Sequence, residues 1–458
     1  GTSPENPFQL LSCPWCGTHM QPEDGRGTWG YRAGARPQRL ILFCPEGTCP
    51  FNGELPVRVV DQDIYRSPPT LLFGTVDKFA LMAWKGDVSS VFGLDSEEKL
   101  KPDLIIQDEL HLISGPLGTI VGLYETAIDA FCSADGSKPK VIASTATARR
   151  AAEQCAGLYD RELSQFPPAG LDAGDSYFAR DPDLMEQNGR LYLGLMSSCK
   201  TQTTTEIRLC ATLLQAARDL NCADAVRDNF WTLVGYFNSL RELGHAVTLV
   251  NDDIKDYMRR LAMRNGVEPR RVYEPDELTS RVGSARIPES LRKLQISYPD
   301  RRAVDVLLAS NMISVGVDIP RLGVMVVVGQ PKTTAEYIQA TSRIGRQHAG
   351  LVVTVYDGAR SRDRSHFERF VDYHGSFYRY VEPSTVTPFS GRARGRALHA
   401  LFVALARHIG GLRDNQAASE VEELTDEDVE KLKGIVLRRA RRTAERGAWS
   451  PGAREFEM

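Results

Sequence analysis

The segment LIIQDELHLI, Leu104–Ile113, drives an apolar run into two adjacent acids, Asp108 and Glu109, with His111 two positions further on. A continuous apolar strand is the kind that a parallel sheet buries on both faces. In open α/β sheets, ligands bind beyond the carboxyl ends of such strands. Two carboxylates at that place suit a metal–phosphate complex, Asp108 holding Mg²⁺ and Glu109 orienting an attacking water. Taken alone, the same pair also reads as two favourable acids at a helix start.

Length and composition frame the rest. A chain of 458 residues is too long for one core, so two or three domains are expected. With 42% hydrophobic residues, 25% charged residues and a formal net charge of −3, it is ordinary globular material. A basic groove is compatible with such a balanced sum. No stretch of eighteen apolar residues occurs, which argues against a membrane span. GTSPENPFQL at the amino end lacks a basic-then-apolar leader, so a cytosolic location is expected.

The chain alternates strand and helix patterns in two blocks. TLLFGTVDKFALM (Thr70–Met82), the Leu104 strand, a helix over Leu117–Phe131 and a strand at KVIASTATA (Lys140–Ala148) form the first. The second block has FWTLVGYFNSLRELG, with its helix ended by Gly244, then strands over Val304–Ile319, Gly323–Pro331 and Gly350–Asp357. A helix opened by a hydroxyl cap runs over Thr333–Arg346. Beyond Leu398 the pattern is helical, acid-first and basic-last over Thr425–Arg446, as a helix dipole prefers. The fold class is therefore α/β, with two parallel-sheet blocks.

Three further constellations accompany the acid pair. Ser144, Thr145 and Thr147 end the next strand, where hydroxyls are common turn formers but would lie beside the carboxylates. In SVGVDIP, Gly316 allows close backbone approach and Asp318 could accept hydrogen bonds from ribose hydroxyls. QATSRIGR spaces Gln339, Arg343 and Arg346 by four and three, which brings them to one helical face suited to phosphate, or simply to solvent.

The order and spacing of DELH, STAT, SVGVDIP and QATSRIGR resemble motifs II, III, V and VI of superfamily 2 helicases of the DExH type. GTVDKF (Gly74–Phe79) is similar to motif Ib and LVGYFNSLRELG to motif IV. The resemblance implies two RecA-like lobes using ATP and Mg²⁺. It implies that His111, Ser144, Thr145 and Thr147 couple the lobes, and that Arg343 and Arg346 are arginine fingers. Gly316 and Asp318 would contact nucleotide; Thr75, Lys78, Ser310 and Asn311 would contact nucleic acid.

One expected part is missing from the sequence. No G-x-x-x-x-G-K-[ST] occurs, and GSKPK (Gly136–Lys140) lacks its leading glycine and its strand–helix setting. In helicases of this kind that loop lies upstream of motif Ib, so it is expected before Gly1. The chain is then the carboxyl-terminal part of a larger enzyme, with an incomplete first lobe, and should not turn over ATP by itself.

Four of nine cysteines form two knuckles, Cys13/Cys16 in CPWCG and Cys44/Cys49 in CPEGTC, separated by 27 residues. Four thiolates make a closed tetrahedral Zn²⁺ site, hence a structural one. The wider second knuckle loosens the pattern, and His19 is read as a bystander. Arginines in Asp357–Phe370 and Ser390–His399 could grip a nucleic-acid strand through its phosphates, and rings in Tyr373–Pro383 could stack on bases. A solvated basic face over packed tyrosines is the plainer alternative.

The expected division is a zinc-ribbon insertion over 1–58, the remainder of lobe 1 over 59–200, lobe 2 over 201–397 and a helical extension over 398–458. Ser310–Arg346, the ribbon and the TVDKF form of motif Ib are similar to the helicase subunit of the bacterial DISARM phage-defence system. No four-cysteine cluster near the carboxyl end supports the related DUF1998-carrying repair helicases. The resemblance implies DNA as substrate, a separate DUF1998-type protein subunit as partner, and no membrane. A non-catalytic DNA-binding scaffold and an RNA helicase are the competing readings.

Overall fold

The computed structural model describes residues 10–22, 27–35, 38–96, 99–133, 136–145, 149–168, 170–172, 174–178, 180, 189–197, 200–279, 281–282, 287–314, 318–414 and 416–447. The chain forms two compact units, one built from Gly1–Gln165 with Pro383–Met458, the other from Phe166–Glu382. The observed grouping differs from the sequence-based division: residues 383–397 and the helical extension pack with the first unit. No helix among the described residues is long and apolar enough to cross a membrane.

The first unit opens with the antiparallel hairpin of β1 (Tyr31–Ala35) and β2 (Gln38–Leu42), whose small core gathers Met20, Leu42 and Leu55 around buried cysteines. β3 (Leu104–Gln107) then pairs in parallel with β4 (Lys140–Ala143). The apolar run is thus a four-residue strand that ends at Gln107, immediately before the two acids. Its burial also departs from expectation: Leu104 and Ile106 are 46% and 63% exposed, because β4 is the one strand paired with it among the described residues. Between them, the helix Gly115–Cys132 starts at Ser114 with Pro116 in its first turn, where a missing amide proton costs nothing. Its buried Leu123, Ala127 and Phe131 pack on Leu401 and Leu405 of the helix Gly391–His408.

The last helix, Asp426–Glu445, has a full capping box at Thr425 and Asp428. Arg439, 5% exposed, donates to the carbonyls of Tyr159 (3.0 Å) and Leu158 (2.6 Å), while buried Asp160 accepts from Arg446 (3.1 Å) and lies 3.1 Å from Arg442. Beneath them, desolvation holds Glu125 protonated up to about pH 7. A carboxyl raised in the fold contributes stability fully present below its ordinary value and lost as pH rises through about 7. Glu125→Gln is therefore expected to melt above the wild type at pH 8.5, by roughly 3 kcal/mol of stability, with the gap closing near pH 4.5. Thermal melts across that range check it.

The second unit is built on one parallel sheet in the order β5-β10-β9-β6-β8-β7. Its strands are β5 (Arg190–Ser197), β6 (Leu233–Phe237), β7 (Asp276–Leu278), β8 (Val306–Ala309), β9 (Val324–Val328) and β10 (Gly350–Asp357). Every residue of β6, β8 and β9 is buried, as the unbroken apolar runs require of central strands. β5 was expected in the first lobe; it pairs with β10 in register from Arg190↔Gly350. The long strand expected over Val304–Ile319 stops at Ala309, where the turn Asn311–Ser314 begins.

Gly244 does not end its helix. Leu240–Leu249 runs through it, continues via Val250–Ile254 into Lys255–Asn265, and stops at Gly266 in the left-handed region (φ +65°). Below the sheet, buried Arg270 donates to Asp305 at 2.7 Å and lies 3.6 Å from the Trp231 ring centroid.

Candidate functional site

In the first unit the chain turns sharply after β3. Asp108 Oδ1 accepts from the Ser144 hydroxyl and, at 2.9 Å, from the Glu109 amide. Ser144 above all, and then that amide, hold the Asp108 carboxyl below its usual range, so it is charged at neutral pH. Glu109 takes a left-handed conformation (φ +52°, ψ +47°), uncommon without a glycine and found where a site imposes strain. His111 Nδ1 lies 3.2 Å from Thr145 Oγ1 and 3.4 Å from Glu109 Oε2. The hydroxyls at the end of β4 thus reach Asp108, one of the two carboxylates they were expected beside, and His111. Thr147 lies outside the described residues.

Two supports were invisible in the sequence. The Leu110 amide donates to the Ser144 carbonyl at 2.9 Å. Gln154, 1% exposed, donates to the carbonyls of Leu110 (2.9 Å) and Ile113 (2.8 Å) and pins the turn from below. A glutamine among the small and apolar residues of AAEQCAGLY is a weak signal that could have marked it.

Thr75 sits at the start of the helix Val76–Ala80, its side chain making no capping bond. Lys78 is engaged by Asp61 at 3.0 Å. Such an exposed pair is worth at most about 1 kcal/mol and exchanges readily for a phosphate.

In the second unit the helix Thr334–Thr341 begins as expected, with Thr333 Oγ1 accepting from the Glu336 amide at 3.1 Å. It ends early. Gln339 lies on the helix and is 8% exposed, whereas Arg343 and Arg346 lie in the turn beyond it, so the three do not share one solvent-facing helical stripe. Gly345 makes that turn: it has φ +62°, its amide donates to the Leu322 carbonyl at 2.8 Å, and an added Cβ would fall 2.6 Å from Gly350 Cα. Arg190 holds the turn by donating to the carbonyls of Ile344 (2.5 Å) and Ser342 (3.2 Å).

Arg346 donates to Asp318, which is otherwise exposed. The segment carrying Asp318 is fixed by Arg321, whose guanidinium meets Asp228 (2.8 Å), Thr232 Oγ1 (2.9 Å) and the Leu294 carbonyl (3.1 Å) in a buried pocket. Gly316 lies outside the described residues. Ser310 is buried at the end of β8 and Asn311 is exposed beside it.

Three arginines of Asp357–Phe370 are engaged within the chain: Arg362 donates to the Lys332 carbonyl (2.7 Å), Arg364 to that of Gly358 (2.8 Å), and Arg360 to Glu242 on the helix Leu240–Leu249 (3.1 Å). Of the rings after them, Tyr373, His374 and Phe377 surround Tyr337, and Tyr378 is 72% exposed.

The sulfur atoms of Cys13, Cys16, Cys44 and Cys49 all lie within 4.8 Å of one another, close to the separations that bonds of about 2.3 Å to a tetrahedral ion impose. Gly17, at φ +77°, lets its amide close the knuckle on the Cys13 carbonyl at 2.9 Å. Hydrogen bonding by Thr18 draws the Cys16 thiol down to about 6, while burial pushes Cys44 up to about 12. His19 is exposed outside the cluster. The donor set fits Zn²⁺ as a structural ion. Metal analysis is expected to find one Zn²⁺ per chain in wild type and none in Cys44→Ser, whose ribbon should become protease-sensitive because metal binding and folding are linked.

The sequence matches the helicase conserved C-terminal domain over residues 269–348, which includes Asp318, Arg343 and Arg346. It is 41% identical to the DISARM protein DrmA of Bacillus paralicheniformis over 94% of this chain and 42% of that protein. The chain thus spans about two fifths of the curated relative's length. The DUF1998 helicase MrfA bound to DNA aligns with a TM-score of 0.53 at 16% identity, over 75% of this chain and 42% of that one. The same helicase bound to DNA and AMPPNP gives 0.50 at 16% identity, over 79% and 45%. The resemblance to superfamily 2 helicases and to the DISARM helicase subunit holds: this chain is a relative of DrmA, and its fold is that of a helicase.

Proposed function

We propose that this relative of DrmA is part of an ATP-driven DNA translocase in a DISARM-type bacterial defence complex. Asp108 would hold a magnesium ion through water, and Glu109 would take a proton from the water that attacks the γ-phosphate. Arg343 and Arg346, with Gln339 behind them, would offset charge on the transferred phosphoryl group, and Asp318 would receive the ribose. A magnesium ion held there would supply positive charge to offset that of the phosphates. Ser144, Thr145 and His111 would report nucleotide state to the rest of the motor. Thr75, Lys78, Ser310 and Asn311 would touch the DNA backbone. A DUF1998-type subunit is the proposed partner and the cytoplasm the proposed location.

The observation that carries this reading is the bond from Ser144 to Asp108 together with that between Thr145 and His111, which ties two distant sequence motifs into one polar site. The test is ATP hydrolysis by the full-length protein, with and without DNA, beside the 458-residue chain. Strong stimulation by DNA in the first and no turnover in the second support the reading. Full-length protein with no nucleic-acid-stimulated hydrolysis overturns it.

A further inference from the structure

One element is left unexplained by the site above, the helix Gly391–His408 of the first unit. Its inward face, Ala393, Ala397, Leu401 and Leu405, is core. Its outward face presents Arg392, Arg396 and His399, all exposed, at spacings of four and three that set them in one stripe. The helix carries four arginines and no acid over its 18 residues. On a chain whose acids outnumber its bases, 59 to 56, that is a local concentration of charge.

Three features of this stripe weaken the helix. Arg392, Arg394 and Arg396 crowd its first two turns, where the macrodipole repels cations. Arg392 and Arg396 are a like-charge pair one turn apart. Gly395, exposed between them with nothing within 4 Å of a would-be Cβ, gives up helix propensity without making room for any neighbour. Neither Arg392 nor Arg396 forms an ion pair among the described residues. Rules broken together without an internal gain mark a surface shaped for something outside the chain.

We propose that Arg392, Arg396 and His399 form a phosphate-gripping ridge on the first unit that holds the nucleic-acid backbone, apart from Thr75 and Lys78. An anion there reverses both electrostatic costs at once, since helix dipole and guanidinium groups all favour it. The arginines stand about 6 Å apart along the axis, comparable to successive phosphates of a strand, and Gly395 leaves the backbone between them open to close approach. The ridge reads no bases, so it adds affinity without sequence preference. This inference rests on the translocase reading and extends it to a surface that none of the helicase-like motifs includes.

The test uses full-length protein and a fluorescein-labelled single-stranded oligonucleotide, with binding followed by anisotropy over a salt series. Arg392→Ala with Arg396→Ala is expected to weaken binding about tenfold at low salt and to flatten log K against log salt by about 1.4, the loss of two phosphate contacts. The corresponding double lysine variant keeps most of the slope, because a point charge suffices for phosphate. The alanine variant should melt no lower than wild type, since it loses two repelled cations. Equal affinity and slope in wild type and alanine variant, with wild type binding the oligonucleotide, overturn the ridge alone and leave an acidic protein partner as its occupant. A loss that lysine does not restore also overturns it. Wild type that binds no oligonucleotide overturns both this inference and the translocase reading.

Discussion

Glu109→Gln in the full-length protein is expected to cut DNA-stimulated ATP hydrolysis by about 10²–10⁴-fold, the usual contribution of a positioned general base. Glutamine keeps the length and shape of the side chain and can sit in the same left-handed backbone, but its amide cannot take a proton from water. ATP binding should survive, because Asp108 and its bond from Ser144 are untouched. Steady-state hydrolysis with a parallel nucleotide-binding titration separates the two effects. A variant within twofold of wild-type kcat would remove Glu109 from the chemistry.

Arg346→Ala is expected to be at least as damaging, about 10³-fold or more in kcat, because a guanidinium aimed at the γ-phosphate acts mainly in the transition state. Arg346→Lys should rescue little, since an ammonium lacks the planar fork. The exposed ion pair to Asp318 is not the reason for the effect: such pairs are worth at most about 1 kcal/mol. Asp318→Asn should accordingly act on KM for ATP far more than on kcat. Equal losses in Asp318→Asn and Arg346→Ala would mean that Arg346 matters through its partner and not through phosphate.

Much of this was legible in local sequence. The cysteine knuckles, the unbroken apolar runs of β6, β8 and β9 and the Thr333 cap each follow from short-range rules, and each is present. The misreadings share a different cause. Glu109 is left-handed because Ser144 and Gln154, 35 and 45 residues away, fix the segment on either side of it. Arg346 owes its place to Gly345 and Leu322, not to helical spacing. The carboxyl-terminal helices join the first unit through Phe131, Leu401 and Arg439, a union that no pattern within those helices announces. Gly244 shows the converse: a glycine punctuates a helix only where the chain turns left-handed, as at Gly266.

The central claim, that the carboxylates of the DELH segment serve the phosphate chemistry of a nucleotide, is met most directly by a structure of the full-length protein with Mg²⁺ and a non-hydrolysable ATP analogue. The expected result is a bound nucleotide whose phosphate end lies beside Asp108 and Glu109. A nucleotide bound with its phosphates remote from both carboxylates would contradict it.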